Sequence, residues 1–262
     1  MVYINAISSN STLITDIKDL IPNALLRRRM SEIVKAGVSA GMECVNTVGA
    51  ENIDAIITAT GLGCIADSEK FLQIVLNNNE ELLNPTPFIQ STFNTVGGQI
   101  ALMCKNHKYN MTYTHRGTSF EAGLLDAVML IENKEAENVL LGSFDFNIPI
   151  MIVLLDQLKP WQGKTLGEGA FFFVLSKNKT SDTIVAIDLP VFLEQGVSKK
   201  DLEKVYPNLI SNDEQGVFHT ASAASLFTTL QEIQSTKNIK GDVYIYNAYL
   251  NEAPTIMHIY VD

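Results

Sequence analysis

Apolar and polar positions divide the chain into short blocks, and one block stands apart. Over residues 110–132, NMTYTHRGTSFEAGLLDAVMLIE, a short β-prone run leads through a glycine into an almost unbroken apolar series. From Phe120 onward only Glu121, Asp126 and Glu132 carry charge. A helix apolar on nearly every side belongs inside a large core. The pattern predicts a strand at 111–114, a tight turn at Gly117 and a buried helix over 118–132, capped by Thr118 or Ser119. A strand that turns sharply into a buried helix is a common mount for a nucleophile.

The other blocks are shorter. Residues 2–7 alternate as an edge strand would. Met30, Ile33, Val34, Val38 and Met42 fall near helical spacing within 28–45. Residues 53–58 read as a strand buried on both faces. They run into ATGLGCIADSEKF, where Gly61 and Gly63 permit a tight loop and Asp67 or Ser68 can cap a helix over 69–76. No lysine follows those glycines as a phosphate loop requires, so the loop reads as a βα connection. Residues 77–87 are mostly polar, and Pro85 and Pro87 mark an end of structure. Residues 94–106 read as a helix and 138–144 as a second buried strand. Residues 146–161, with Pro149, Pro160 and Trp161, read as a loop that lines or covers something. GEGAFFFVLSK, 167–177, reads as a strand whose hairpin partner is 183–192. A linker or short helix follows at 201–209, then a small-residue helix over 218–234 entered through His219. Closing strands at 242–249 and 255–261 flank a turn at 251–254. Alternation of strands and helices predicts the α/β class.

Composition narrows the function. A chain of 262 residues suits one large domain or two fused halves. Its 46% apolar and 18% charged content excludes a disordered chain. A net charge of −10 disfavours nucleic acid and anionic membrane as partners. No apolar run reaches about 18 residues, so no membrane span is expected. The start, MVYINAISSNS, lacks the features of a signal peptide, and the expected location is cytoplasmic. Cys44, Cys64 and Cys104 are odd in number and lack metal-ligand spacing. They read as reduced thiols, and no metal or cofactor is expected. Cys64 suits either a reactive thiol or a semi-buried spectator. Arg27, Arg28 and Arg29 form the only dense basic cluster, suited to a solvated helix face or to docking an acidic partner.

Several pieces, in order, resemble the β-ketoacyl synthase (condensing enzyme) superfamily, which has the thiolase fold. RRRMSEIVK precedes IDAIITATGLG; FIQSTFNTVGGQIAL, SFEAGLLDAVMLIE, NVLLGSFD, GEGAFFFVLSK and FHTASAASLFTTL follow. The chain is more closely similar to the short, divergent synthase-like and chain-length-factor-like proteins of aryl-polyene and flexirubin-type pigment clusters. The resemblance implies a thiolase-like layered α-β-α-β-α sandwich with a trimmed second half. It implies one domain over 1–262, with an N-terminal half at 1–180 and a reduced C-terminal half at 181–262.

Active condensing enzymes of this type use Cys-His-His. The cysteine takes the acyl chain, and the two histidines assist decarboxylation and hold the resulting oxyanion. Counted back from Asp126 and Ala127, the family's cysteine position falls on Gly117, and no cysteine follows Cys104. The family's His-Gly-Thr-Gly motif is absent between 183 and 216, and YNAYLNEAP stands in place of its glycine-rich loop. His219 keeps the second histidine's place, and Glu214 replaces the lysine five residues before it. Carbon–carbon bond formation needs both the thiolate and the oxyanion donors.

The resemblance therefore implies a non-catalytic, chain-length-factor-like partner of an active ketosynthase in fatty acid or polyketide-type biosynthesis, meeting acyl carrier protein indirectly. Met111, Thr112, Tyr113, Thr114, His115, Arg116, Gly117, Ser119 and Phe120 are expected to form the elbow and either a dimer contact or an acyl pocket. Two alternatives stay open: a synthase-like enzyme or a thioesterase using His115 and Ser119, and a homodimeric acyl-binding scaffold. Glu168 is expected to buttress the fold, His107 to be solvated and His258 to be structural.

Overall fold

A computed structural model describes residues 1–158, 164–211, 215–236, 239–250 and 252–261. Trp161 and Glu214 lie outside the described residues. The chain opens with β1 (Val2–Ser9), α1 (Ile17–Leu20), α2 (Ala24–Arg29) and α3 (Glu32–Val48). It continues through β2 (Ala55–Ala59), α4 (Ile65–Asn77), α5 (Pro85–Gln90), α6 (Thr95–Cys104), β3 (Tyr109–Tyr113) and α7 (Ser119–Glu132). Then come β4 (Asn138–Asp145), α8 (Pro149–Leu158), β5 (Gly169–Ser176), β6 (Val185–Ile187), β7 (Val191–Phe192), α9 (Lys199–Leu202) and β8 (Leu209–Ser211). The chain closes with α10 (Ala221–Thr236), β9 (Gly241–Asn247) and β10 (Thr255–Val261).

The strands form one mixed sheet in the order β3-β2-β4-β5-β1-β6-β10-β9-β8, with β7 beside β10. Read outward from its centre, the sheet repeats itself. On one side β1, β5, β4 and β2 follow one another as antiparallel, antiparallel and parallel neighbours. On the other side β6, β10, β9 and β8 do the same. The first side then adds β3, parallel to β2. Among the described residues, the second side has no strand in that place.

The core explains the layering. One cluster joins Phe120, Leu124, Ala127, Val128 and Ile131 of α7 and Ala223, Leu226, Phe227 and Leu230 of α10 to both half-sheets. A second puts α3 and α6 on the opposite face of the first half-sheet, against Ile56, Leu140, Phe172 and Val174. A third, much smaller, sets Leu202 of α9 on Tyr246 and Ile256 of the second half-sheet. The result is the expected α-β-α-β-α sandwich with its last layer reduced. α7 is buried along most of its length, as its apolarity predicts, although Met129 is exposed. Among the described residues no helix is long and apolar enough to cross a membrane.

Several local expectations are corrected. The first strand lies in the middle of the sheet, between β5 and β6, rather than at an edge. Its polar Asn5, Ser8 and Ser9 are buried there. β6 pairs with β1 and β10, so 183–192 is no hairpin partner of β5. Pro85 starts α5 instead of ending structure, because a helix's first turn needs no N–H there. The apolar block after β4 is the helix α8. No side-chain cap bond is made by Thr118 at α7, and α4 starts earlier than expected, without a side-chain cap bond.

Candidate functional site

The elbow begins at β3, an edge strand in which Tyr109 and Met111 are exposed. His115 follows, and Arg116 takes the left-handed φ of +51° at the tip of the turn. Gly117 is buried directly behind it. Ser119, expected as the cap, turns inward. Its Oγ accepts from the His115 main-chain N–H at 2.8 Å and lies 2.7 Å from the Arg116 carbonyl and 3.1 Å from that of Thr60. The turn is thereby fastened to the end of β2.

Gly117 has no room for a side chain. A Cβ built there would stand 2.0 Å from Tyr249 Cβ and 2.4 Å from its Cγ. Tyr249 belongs to the connection between β9 and β10, within YNAYLNEAP. The same connection supplies Glu252, whose Oε2 accepts the Gly117 N–H at 3.1 Å and whose Oε1 lies 4.0 Å from Arg116 Nη1. A main-chain N–H at the head of a helix is the donor an oxyanion would need. Here an internal carboxylate occupies it. The Gly117 carbonyl is held as well: Asn247 Nδ2 donates to it at 2.7 Å and to Glu121 Oε1 at 2.8 Å.

Glu121 is fully buried, and Thr255 Oγ1 also donates to its Oε1 at 2.9 Å. Burial pushes its carboxyl above the usual carboxylate range, only partly opposed by these bonds. A raised folded-state value means that its contribution to stability is full below the ordinary pKa and is lost as pH rises through the folded one. Glu121→Gln keeps an acceptor for Asn247 and Thr255. Its stability relative to wild type is expected to rise from acid to alkaline pH, seen as converging and then crossing melting temperatures. A constant difference between pH 4 and 9 would mean that Glu121 does not titrate in the fold.

A cavity of about 360 Å³ opens beside the elbow. Leu62, Phe146, Met151, Leu155, Phe218 and Leu250 make its apolar wall, and Asp145, Asn147, His219 and Tyr249 its polar end. The apolar block around α8 thus lines a space, as its composition predicts. His219 packs against Gly61 so closely that a Cβ there would lie 2.1 Å from its ring. Its Nε2 is 3.0 Å from the Tyr249 hydroxyl. Beneath it Asp145 ends β4, fully buried. Asp145 Oδ1 accepts from Thr60 Oγ1 at 2.8 Å and from the Gly61 and Leu62 N–H groups at 2.9 Å each. Burial lowers the His219 pKa, against the pull of Asp145, so the imidazole is neutral at neutral pH. Burial, then the charges of Glu252 and Asp145, push the Tyr249 hydroxyl up. Burial also pushes the Asp145 carboxyl up, against His219 and its hydrogen bonds. The cavity end therefore offers a neutral imidazole and a protonated phenol. These can hydrogen-bond a carbonyl group but supply no activated nucleophile.

The cysteines supply none either. Burial pushes the Cys64 thiol up to about 12, and raises Cys44 and Cys104 too. Of the open roles for Cys64, the buried spectator is the one its environment suits. Among the described residues no three His, Cys, Asp or Glu side chains are grouped to hold a metal. The arginine cluster lies on α2. Arg27 donates to the Ile21 carbonyl, while Arg28 and Arg29 flank a polar hollow with Lys70 and Asp67.

Not all the expected site residues meet. Met111, Thr114, His115 and Arg116 are exposed, and Thr112 and Tyr113 are half-buried at the sheet edge. None of them lines the cavity. Phe120 is fully buried, 5.5 Å from the Phe173 ring, and does not line the cavity. Among the described residues no hydrogen bond joins the His115 imidazole to Ser119, which bonds the His115 main-chain N–H instead. That removes the base from the thioesterase arrangement. Glu168 does buttress, its Oε2 accepting the Asn147 N–H. His258 lies between Asp242 and Asp188 and stacks on Tyr244.

Sequence reasoning missed Asp145, Asn247, Tyr249 and Glu252. The signals were an acid closing the apolar run NVLLGSFD and the replaced loop YNAYLNEAP.

A search of curated proteins gave no match. Among solved structures, the chain is similar to a type II PKS acyl-carrier protein in complex with its ketosynthase bound to the hexaketide. That match has a TM-score of 0.76 at 13% identity and covers 100% of this chain and 99% of the other. The ishigamide ketosynthase/chain length factor matches with a TM-score of 0.76 at 12% identity, covering 95% and 85%. The ketosynthase ApeO in complex with its chain length factor ApeC, from Xenorhabdus doucetiae, matches with a TM-score of 0.63 at 15% identity, covering 99% and 98%. At these identities the structures establish the fold alone. Residues 8–161 match the family described as "Beta-ketoacyl synthase, N-terminal domain", and the chain belongs to that family.

Proposed function

We propose that this chain is a non-catalytic, chain-length-factor-like partner of an active ketosynthase, in acyl-chain building of the aryl-polyene or flexirubin type. The observation that carries this reading is the plugged elbow. Position 117 has no side chain, Tyr249 fills the space beside it, and Glu252 holds its N–H. The similarity to ketosynthase and chain length factor complexes supports a partner of the same fold. We read the chain as one domain, 1–262, with halves at 1–180 and 181–262. Acyl carrier protein meets the pair chiefly through the synthase, since an acidic carrier is repelled by a chain of charge −10.

The edge strand β3 is the docking edge in this reading. Tyr109 and Met111 are exposed on it, as are Leu102 of α6 and Met129 of α7 nearby in the fold. Open edges need covering. Thr112 is a poor probe of this contact, because its Oγ1 bonds Thr58 and Asn94 within the chain. Met111→Asp is the better one. It should change the isolated chain's stability by no more than about 0.5 kcal/mol. It should weaken the complex by about 2 kcal/mol or more, roughly thirtyfold, through a buried unpaired charge. Light-scattering mass with a coexpressed ketosynthase reads this out. A wild-type chain that stays monomeric beside the synthase would end the proposal.

The cavity supports a second reading, a homodimeric acyl-binding scaffold, because its wall of Leu62, Phe146, Met151, Leu155 and Phe218 is apolar. A stable homodimer that ignores the synthase and retains a neutral acyl ester would support it.

A further inference from the structure

The inner repeat of the sheet leaves one place unfilled. β2 carries β3 on its outer side, whereas β8, its counterpart, pairs only with β9 among the described residues. The Tyr244 N–H donates to the Asn208 carbonyl at 3.2 Å. That register turns the N–H and C=O of Leu209 away from β9, and no described residue bonds them. Beside this edge lies a hollow of about 340 Å³, lined by Leu209, Ile210, Ser225, Thr228, Thr229 and Glu232, among others. The last four fall at i, i+3, i+4 and i+7 on α10 and form one stripe of its surface. Ser225 is 2% exposed, and its hydroxyl has no partner. A buried hydroxyl is costly unless something bonds it.

We propose that this hollow is a strand-addition site, which takes an extended segment of a partner polypeptide alongside β8 as β3 lies alongside β2. The chemistry selects that occupant. An outward N–H and C=O on one residue are matched by an extended backbone about 4.8 Å away. The α10 stripe is hydroxylic, with a carboxylate at its end, whereas the core side of α7 is apolar. The incoming strand therefore presents Ser, Thr, Asn or Gln to α10, and because Lys199 and Glu232 both line the hollow it carries no required charge. Proline is excluded where its N–H must reach Leu209. This site lies apart from the elbow and cavity, and it does not depend on the ketosynthase-partner reading.

The test is a displayed library of random nonapeptides, selected on the wild-type chain and counter-screened on Thr228→Arg. Thr228 is exposed, so an arginine there fills the hollow without disturbing the core. Enriched peptides should bind at least tenfold more weakly to Thr228→Arg and should slow hydrogen exchange at the Leu209 amide. Leu209→Pro, which removes the outward N–H together with a side chain packed against the cluster of Leu202, Tyr246 and Ile256, should abolish that binding, and circular dichroism checks the fold. If Leu209→Pro misfolds, the Thr228→Arg comparison still decides. Enrichment of nothing sensitive to Thr228, or protection confined to other amides, overturns the proposal. Dimerisation of the wild type that Thr228→Arg abolishes would assign the site to a second copy and overturn the partner-strand assignment.

Discussion

Gly117→Cys is expected to cost about 3 kcal/mol or more. The new Cβ would lie 2.0 Å from Tyr249 Cβ, an atom next to the main chain that no rotamer change can move aside. The same cysteine with Tyr249→Gly should regain most of that loss, because the two changes share one space. In the double variant the thiol sits at the head of α7, where the helix dipole favours thiolate. It should react with iodoacetamide much faster than Cys44, Cys64 or Cys104, whose thiols burial holds in the protonated form. Urea unfolding of wild type, both single variants and the double variant gives the coupling energy. A Gly117→Cys chain as stable as wild type, with a freely labelled thiol, would show that Tyr249 does not plug the elbow.

Asp145→Ala should be the most damaging single change outside the hydrophobic core. It leaves the Thr60 hydroxyl and the Gly61 and Leu62 N–H groups without their acceptor. Orphaned donors around a deleted buried charge cost about 3–5 kcal/mol in all. That is a large part of the about 5–15 kcal/mol available to a folded domain. Asp145→Asn keeps one oxygen and should lose less. It also removes the negative charge that raises the His219 pKa, so the imidazole should titrate at a still lower pH by NMR. Equal stability of Asp145→Ala and wild type in urea would mean that the loop after β2 is held by something else.

The fold was largely legible in the chain, because the deepest elements carry the plainest patterns. α7, β2 and β4 are apolar enough to be placed by burial alone. β1 misled because residues 2–7 alternate as an edge strand would, whereas the fold buries the strand, Asn5 included, at the sheet's centre. Asn5, for example, bonds Thr183 and the Asn178 carbonyl. The site was only half legible. Sequence shows that position 117 is a glycine, but not why a side chain cannot return. The residues that close it, Tyr249 and Glu252, come from a loop at the far end of the chain, with Glu252 135 positions beyond Gly117. Local pattern carries no trace of such a contact. His219 and Asp145 likewise meet only because β4 and the entry to α10 converge on the same loop.

The central place of β1 has a consequence for how the protein is made. β1 is synthesised long before its partners, for Tyr3 pairs with Ser176 on one side and Val2 with Ile187 on the other. At about 5–20 residues per second, both flanks of the nascent strand stay unpaired for roughly 10–30 s. Closing such distant pairs is intrinsically slow, and bare strand flanks recruit other chains. Sheet assembly around β1 can therefore finish only after β5 and β6 have been synthesised.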